Sequence, residues 1–285
     1  METRVARLSQ GDFVMNTRWV QRLVQAYAVD FWGGTWKELL AVRDQDGNVV
    51  KQFGTYNVQG TIFPETKELL DRYDISSSDP QWPNRLWKMA NRGQLCVPEG
   101  GVIRPFWTLD AARKELLAFV SPVETGGYGG EILILFQPGV IVGFTAFTSL
   151  SWDVGPMVAR RRFPTTRFHV PVGISWCVNS TVQELLVSRY PGKHQFGIFL
   201  DHAIVESFRG QGFGSQLFDA RIDRLLELGT DVFFGRTMLT ATSQYVGNYL
   251  ARGLKPFAAD ATDAFSSGKH YFAATRSQLK SRRSD

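Results

Sequence analysis

Cysteine is scarce in this chain: Cys96 and Cys177 are the only two among 285 residues. Two cysteines suit neither a disulfide framework nor a zinc site, and a reducing cytoplasm is the expected setting. Of the few histidines, His169, His194 and His270 show no metal-ligand spacing, and no metal is expected. The opening residues, METRVARLSQGDF, contain no apolar core of the kind a secretory signal needs. The one long apolar region, residues 132–150, is broken by Gln137-Pro138-Gly139. It reads as a hairpin and not as a membrane span. The formal net charge of +5 is too weak to point to nucleic acid, although it suits an anionic ligand. Internal repeats and low-complexity stretches are missing as well.

What is present is 44% hydrophobic residues, enough for a substantial core in one large domain or two small ones. The most informative stretch is residues 196–229. Residues 196–205 are apolar and β-branched apart from Asp201-His202, as in a strand. A loop follows, Arg209-Gly210-Gln211-Gly212-Phe213-Gly214. A helix is expected over 212–228, with Phe213, Leu217, Phe218, Ile222, Leu225 and Leu226 at helical spacing and Gly229 as its stop. Three glycines in five residues let the backbone turn sharply and bring its N–H groups near a ligand. The helix adds free N–H groups and the positive end of its dipole, so the loop reads as a pyrophosphate cradle. It is not a P-loop, because Gly-Lys-Ser/Thr is absent. Nor is it a dinucleotide fingerprint: the glycines run Gly-x-Gly-x-Gly, and the next strand, 232–239, has no acid at its end.

Arg209-x-x-Gly212-x-Gly214 resembles the acetyl-coenzyme A loop of the GNAT superfamily, the Gcn-related N-acetyltransferases. The flanks carry the resemblance further. Residues 102–112 read as a short strand ending in Ile103-Arg104, a turn capped by Thr108 or Asp110, and a helix start. Residues 132–136 and 140–148 read as two strands, with Gly139 to Phe144 similar to the family's second and third. Tyr249-Leu250-Ala251-Arg252-Gly253-Leu254 is similar to the family's Tyr-x-x-x-Gly-Phe, with Leu254 in place of Phe. Where family members often have Asn seven residues before that tyrosine, Thr242 stands here. The resemblance covers residues 100–276. It implies an α/β fold with a mixed, mostly antiparallel central sheet flanked by helices, in the order strand, helix, hairpin, strand, loop, helix, strand, helix, strand.

Residues 1–99 are expected to form an N-terminal α+β segment packed on that domain. They hold a helix from Asn16 or Thr17 to Tyr27, a hairpin over 38–53 turning at Asp44 to Asn48, and a helix opened by Pro64 and running to Tyr73. Trp19, Trp32, Trp36, Trp82 and Trp87 concentrate here and read as core or packing aromatics, or as a substrate surface. Residues 151–193 depart from the family pattern as an insertion, with a strand at 170–178 and a helix at 181–188. Its Arg160, Arg161, Arg162 and Arg167 read as a solvated face, or as a clamp for an acidic substrate or the ribose phosphate. Residues 277–285 are a basic tail.

The resemblance implies an acetyl-CoA-dependent N-acyltransferase whose partners are the acyl-CoA and an amine acceptor, small molecule or peptide. Transfer of a longer acyl chain, and an acyl-CoA-binding module without turnover, are the rivals. Carried over by position, Arg209, Gly210, Gln211, Gly212, Phe213, Gly214 and Ser215 hold the pyrophosphate. Ile204 and Val205 offer backbone groups to pantetheine in a gap between two splayed strands. Tyr249 matches the tyrosine that protonates the leaving thiolate, a phenol of pKa ~10 being able to donate to a thiol of ~8.5; by spacing alone it reads as a core aromatic. The glutamate that some members place on the cofactor strand falls here on Ile198 and is missing. His202, four residues on and on the same face, is the candidate base, with a reference pKa of ~6.5, or else a structural histidine. Asp201, on the other face, is the second candidate.

Overall fold

The computed structural model describes residues 3–29, 38–46, 48–55, 61–79, 81–98, 101–106, 108–153, 186, 188–238, 243–260 and 269–279. The expected strand at 170–178, nearly all of the helix at 181–188, the arginines at 160–162 and 167, Trp32, Trp36, Thr242 and most of the basic tail lie outside these residues. In chain order the elements are β1 (Arg4–Leu8), α1 (Gln10–Val14), α2 (Arg18–Val29), β2 (Glu38–Arg43), β3 (Val49–Gly54), α3 (Pro64–Arg72) and α4 (Trp82–Asn91). Then come β4 (Ile103–Pro105), α5 (Leu109–Val120), β5 (Glu131–Gln137), β6 (Val140–Asp153) and β7 (Lys193–Ile204). The chain continues with α6 (Phe213–Glu227), β8 (Val232–Met238), α7 (Ser243–Ala251), β9 (Lys255–Asp260) and β10 (Lys269–Thr275).

These elements fall into two compact units. One comprises Met1–Thr17, Leu117–Ile204 and Arg209–Asp285; the other comprises Arg18–Leu116 and Val205–Phe208. In the first unit the strands form one sheet in the order β1-β5-β6-β7-β8-β10-β9. Every neighbouring pair is antiparallel except β7 and β8, which run parallel. The sheet is therefore mixed and mostly antiparallel, as expected, and α6 packs across β5, β6 and β7. Leu217, Phe218, Ile222 and Leu225 form the buried stripe of that helix. Each removes apolar surface worth about 1.5–3 kcal/mol. From Ile103 onward the order is strand, helix, hairpin, strand, loop, helix, strand, helix and then two strands, one strand more than the resemblance implies.

In the second unit β3-β2-β4 form a small antiparallel sheet accompanied by α2, α3 and α4. The hairpin turns where its chemistry predicts: Asp44 Oδ1 accepts the Asn48 N–H at 2.8 Å. Trp82 and Trp87 are buried and lie on α4.

Several elements differ from the expectation. The strand that opens the large sheet is β1, which pairs with β5 from Arg4↔Phe136 to Leu8↔Ile132. Ile103–Pro105 instead pairs with β2 in the small sheet. β1 escapes a hydrophobic scan because it lies at the sheet's edge and only Leu8 is buried. α4 carries Pro83 in its first turn, which hides it from a helical pattern, although Trp82, Leu86, Trp87 and Ala90 bury one helical face. β9 contains Pro256, which an edge strand tolerates and which hides it from a strand pattern.

Candidate functional site

β7 and β8 begin as ladder partners and then separate. They pair at Phe196↔Val232, Gly197↔Phe233 and Ile198↔Phe234, and among the described residues no later pair joins them. Beyond that point β7 stays paired with β6 as far as Ile204↔Gly143, and β8 stays paired with β10 as far as Met238↔Lys269. Two strand edges thus face one another without a ladder between them. The parting coincides with a bulge. Ala146 opposes Asp201 while Phe147 opposes Phe199, so Leu200 is an extra residue in β7. Such an insertion bends its strand and increases its local twist.

Aromatic side chains fill the apex of the parting. Tyr249, on α7, is fully buried and its hydroxyl donates to the Arg236 carbonyl at 3.1 Å. Its ring stacks on Phe272 at 4.5 Å and meets Phe218 edge-on at 5.1 Å. Phe199, the first β7 residue past the ladder, lies 5.9 Å away. Gly235 makes room for both: a Cβ there would come within 2.5 Å of Phe199 and 2.7 Å of Tyr249. A lone glycine in an apolar strand is the sequence signal for such an approach, and Gly235 was not singled out from it.

At the far end of β7 lies the glycine loop. Gly210 and Gly212 have φ of +77° and +82°, the left-handed region that glycine enters without strain. Gly212 is the N-cap of α6, with no side-chain cap and no acid in the first turn. The N-cap thus supplies no side-chain acceptor of its own to the first N–H groups of the helix. Arg209 is exposed and its Nε donates to the Ile204 carbonyl at 3.0 Å, tying the loop to the strand it leaves. The next residue, Val205, opens the Val205–Phe208 stretch of the second unit, and its carbonyl accepts the Phe208 N–H at 2.9 Å. Gln211 is exposed and Phe213 half-buried. Ser215 donates to Asn248 Oδ1 at 2.7 Å, and the Arg252 guanidinium engages the Asp219 carboxylate through two nitrogens. These contacts tie α6 to α7 and raise the Arg252 pKa, chiefly through the hydrogen bond to Asp219.

His202 lies on the α6 side of the sheet. It pairs with Thr145 across β6, its ring meets Phe218 at 6.4 Å, and a Cβ on Gly214 would lie 3.8 Å from its Nε2. Burial first and the Arg221 charge second hold its pKa well below the usual value, so the ring is neutral at pH 7. Asp201 takes the opposite face by strand alternation, and its carboxylate accepts the His202 N–H at 2.7 Å.

The depressed pKa has a measurable consequence. The unfolded chain takes up a proton at His202 near pH ~6.5, and the folded chain resists it. The stabilising contribution is complete above that pH and is lost as pH falls toward the folded value, at about 1.4 kcal/mol per pH unit. Urea unfolding at pH 7 and pH 5 should show this loss in the native protein and a smaller one in His202→Gln. Equal losses in both would assign the acid sensitivity to other groups.

Arg221 and Thr145 were not anticipated. Arg221 occupies a position on the buried α6 stripe, three residues after Phe218, where a charge interrupts an otherwise apolar pattern; that interruption was the signal available. Among the described residues no three His, Cys, Asp or Glu side chains group as metal ligands, and no helix is long and apolar enough to cross a membrane.

No protein-family model matches the chain, and no curated protein sequence does. Solved structures overlap it at low identity. The IAA acetyltransferase from Bacillus cereus is 14% identical over 54% of this chain and 85% of its own, with a TM-score of 0.33. The NatC complex bound to Gag peptide and CoA gives 12% identity over 67% and 87%, with a TM-score of 0.35. YncA, a putative acetyltransferase from Salmonella typhimurium with acetyl-CoA, gives 13% over 57% and 73%, with a TM-score of 0.35.

Proposed function

We propose that the chain is an acyl-CoA-dependent N-acyltransferase, with acetyl-CoA as donor and a primary amine as acceptor. The observation that carries this reading is the parting of parallel β7 and β8 in the unit whose α6 begins at the uncapped glycine loop. A long, thin donor with an anionic end fits both features. Arg209, Gly210, Gln211, Gly212, Phe213, Gly214 and Ser215 supply the cradle for its pyrophosphate, through backbone N–H groups and the helix dipole. The edges of β7 toward Ile204 and Val205 offer peptide groups to its amide-bearing arm. Holding thioester and amine together removes much of the entropic barrier to acyl transfer.

The transfer itself needs an acid and a base. The amine attacks the thioester carbonyl, the C–S bond breaks, and the departing thiolate takes a proton. Tyr249 is the proposed proton donor; its hydroxyl at the apex of the parting supports that role. His202 is the proposed acceptor of the amine's proton, directly or through water: it is neutral and has a lone pair to offer, although burial and the Arg221 charge make it a weak base. Asp201, on the opposite face, is the second candidate.

One observation favours a binding-only reading: the Tyr249 hydroxyl is fully buried and already donates to the Arg236 carbonyl. Two measurements separate the readings. Acetyl-CoA is expected to raise the melting temperature, since it binds only the folded state. Free-thiol release across a panel of amines and peptides, with intact-mass readout, should then identify an acceptor. A thermal shift without thiol release points to a binding module. No shift at all removes the coenzyme A reading.

A further inference from the structure

Arg221 is fully buried beneath α6. Its guanidinium lies over two ring faces, 3.8 Å from the centroid of Phe199 and 4.5 Å from that of Phe218. Nη1 donates to Thr145 Oγ1 at 2.9 Å, while Nε and Nη2 reach no hydrogen-bond acceptor. Among the described residues no carboxylate stands within ion-pair distance of it. A buried charge without a counter-ion opposes folding, as do buried donors left unsatisfied. The two rings offset part of that opposition. An aliphatic side chain would pack the same stripe without it, so stability does not account for an arginine here.

Its contacts lead to the place where β7 leaves β8. The Thr145 hydroxyl that accepts from Arg221 donates in turn to the Asp201 carbonyl at 3.0 Å. Asp201 directly follows Leu200, the extra residue of the bulge. Phe199, on which the guanidinium stacks, directly precedes it and is the first residue past the β7–β8 ladder. Arg221 therefore holds the bulge from both sides, by a hydroxyl relay to one carbonyl and by a ring face. Two unpaired strand edges otherwise tend to pair with whatever strand is near, including each other.

We propose that Arg221 is a positioning residue that, through Thr145 and Phe199, fixes the bulged stretch of β7 and keeps the gap between β7 and β8 formed before the donor arrives. A gap that is already formed spares the binding step the cost of ordering it. That this gap receives the donor rests on the acyltransferase reading; the relay itself does not.

The test compares Arg221→Met, Thr145→Val and Thr145→Ser with the native chain in three measurements. Amide hydrogen exchange at residues 200–204 should be at least about tenfold faster in Arg221→Met and Thr145→Val, with β5 unchanged. Thermal melting of Arg221→Met should match or exceed that of the native protein, because the buried charge is gone. Coenzyme A affinity by calorimetry should fall about tenfold in both variants and return toward native in Thr145→Ser, which keeps the hydroxyl. A purely structural arginine would lower the melting temperature and leave affinity alone. Native exchange at residues 200–204 in both variants overturns the assignment. A native protein that binds no coenzyme A sinks the acyltransferase reading instead, and exchange alone then decides the relay. Should Arg221→Met fail to fold, the threonine pair gives the same comparison.

Discussion

Tyr249→Phe is expected to lower turnover by roughly ten- to a thousandfold while leaving coenzyme A affinity close to native. The substitution keeps the ring that stacks on Phe272 and meets Phe218 edge-on. It deletes the hydroxyl that donates to the Arg236 carbonyl. One hydrogen bond of this kind contributes about 0.5–1.5 kcal/mol, too little to unfold the unit. The burial of Tyr249 sharpens the test, because a side chain removed from solvent can act only on something drawn into the gap. Single-turnover thiol release, with coenzyme A affinity measured on the same preparations, gives the split. Equal turnover in the two proteins would leave Tyr249 as a packing aromatic and return the thiolate's proton to solvent.

Gly212→Val is expected to abolish the thermal shift produced by acetyl-CoA. The reason is conformational. A Cβ at Gly212 would meet nothing within 4 Å, so the folded protein has room for a side chain. Its φ of +82° is the obstacle, since a β-branched residue held there costs about 1–3 kcal/mol. The loop can escape that strain only by rotating its N–H groups away from their present directions. Gly11→Ala is the control. Gly11 lies in α1, outside the loop, without a positive φ, and its Cβ would make a normal contact with Ser9 Oγ at 3.6 Å. That variant should fold and still respond to acetyl-CoA. A Gly212→Val protein that remains folded and keeps its full thermal shift would remove the loop from the binding site.

The legible parts of this chain are those where the local pattern and the tertiary role agree. The β5–β6 hairpin reads from Gln137-Pro138-Gly139 between apolar runs, and α6 from its spacing and terminal glycines. The loop reads from three glycines that steric rules confine to few uses. What escaped was written in long-range contacts. β1 has one buried side chain and becomes a strand only because β5 is there to pair with it. The bulge at Leu200 leaves no mark in an apolar strand, since an extra residue changes the register with β6 and not the composition. Arg221 was visible as a charge on an apolar stripe, but its partners come from β6 and β7. His202 was expected on the face of Ile198, but the extra residue at Leu200 inverts the alternation: Ile198 lies opposite Thr148, and His202 lies opposite Thr145 on the other face, with Phe218 of α6.

The chain's first strand also has a bearing on how the protein is made. β1 leaves the ribosome before its ladder partner, Glu131–Gln137, which is synthesised only after the whole of Arg18–Leu116. The intervening unit can complete its own small sheet from residues close in sequence while β1 waits. Waiting is safe because Arg4 and Arg7 keep the strand soluble and only Leu8 needs burial. The large sheet closes late, through contacts of long sequence separation, which are the slow ones to form. Folding intermediates of this protein should therefore hold the β2–β3 hairpin before β1 is protected, and Arg4–Leu8 should acquire native exchange protection late.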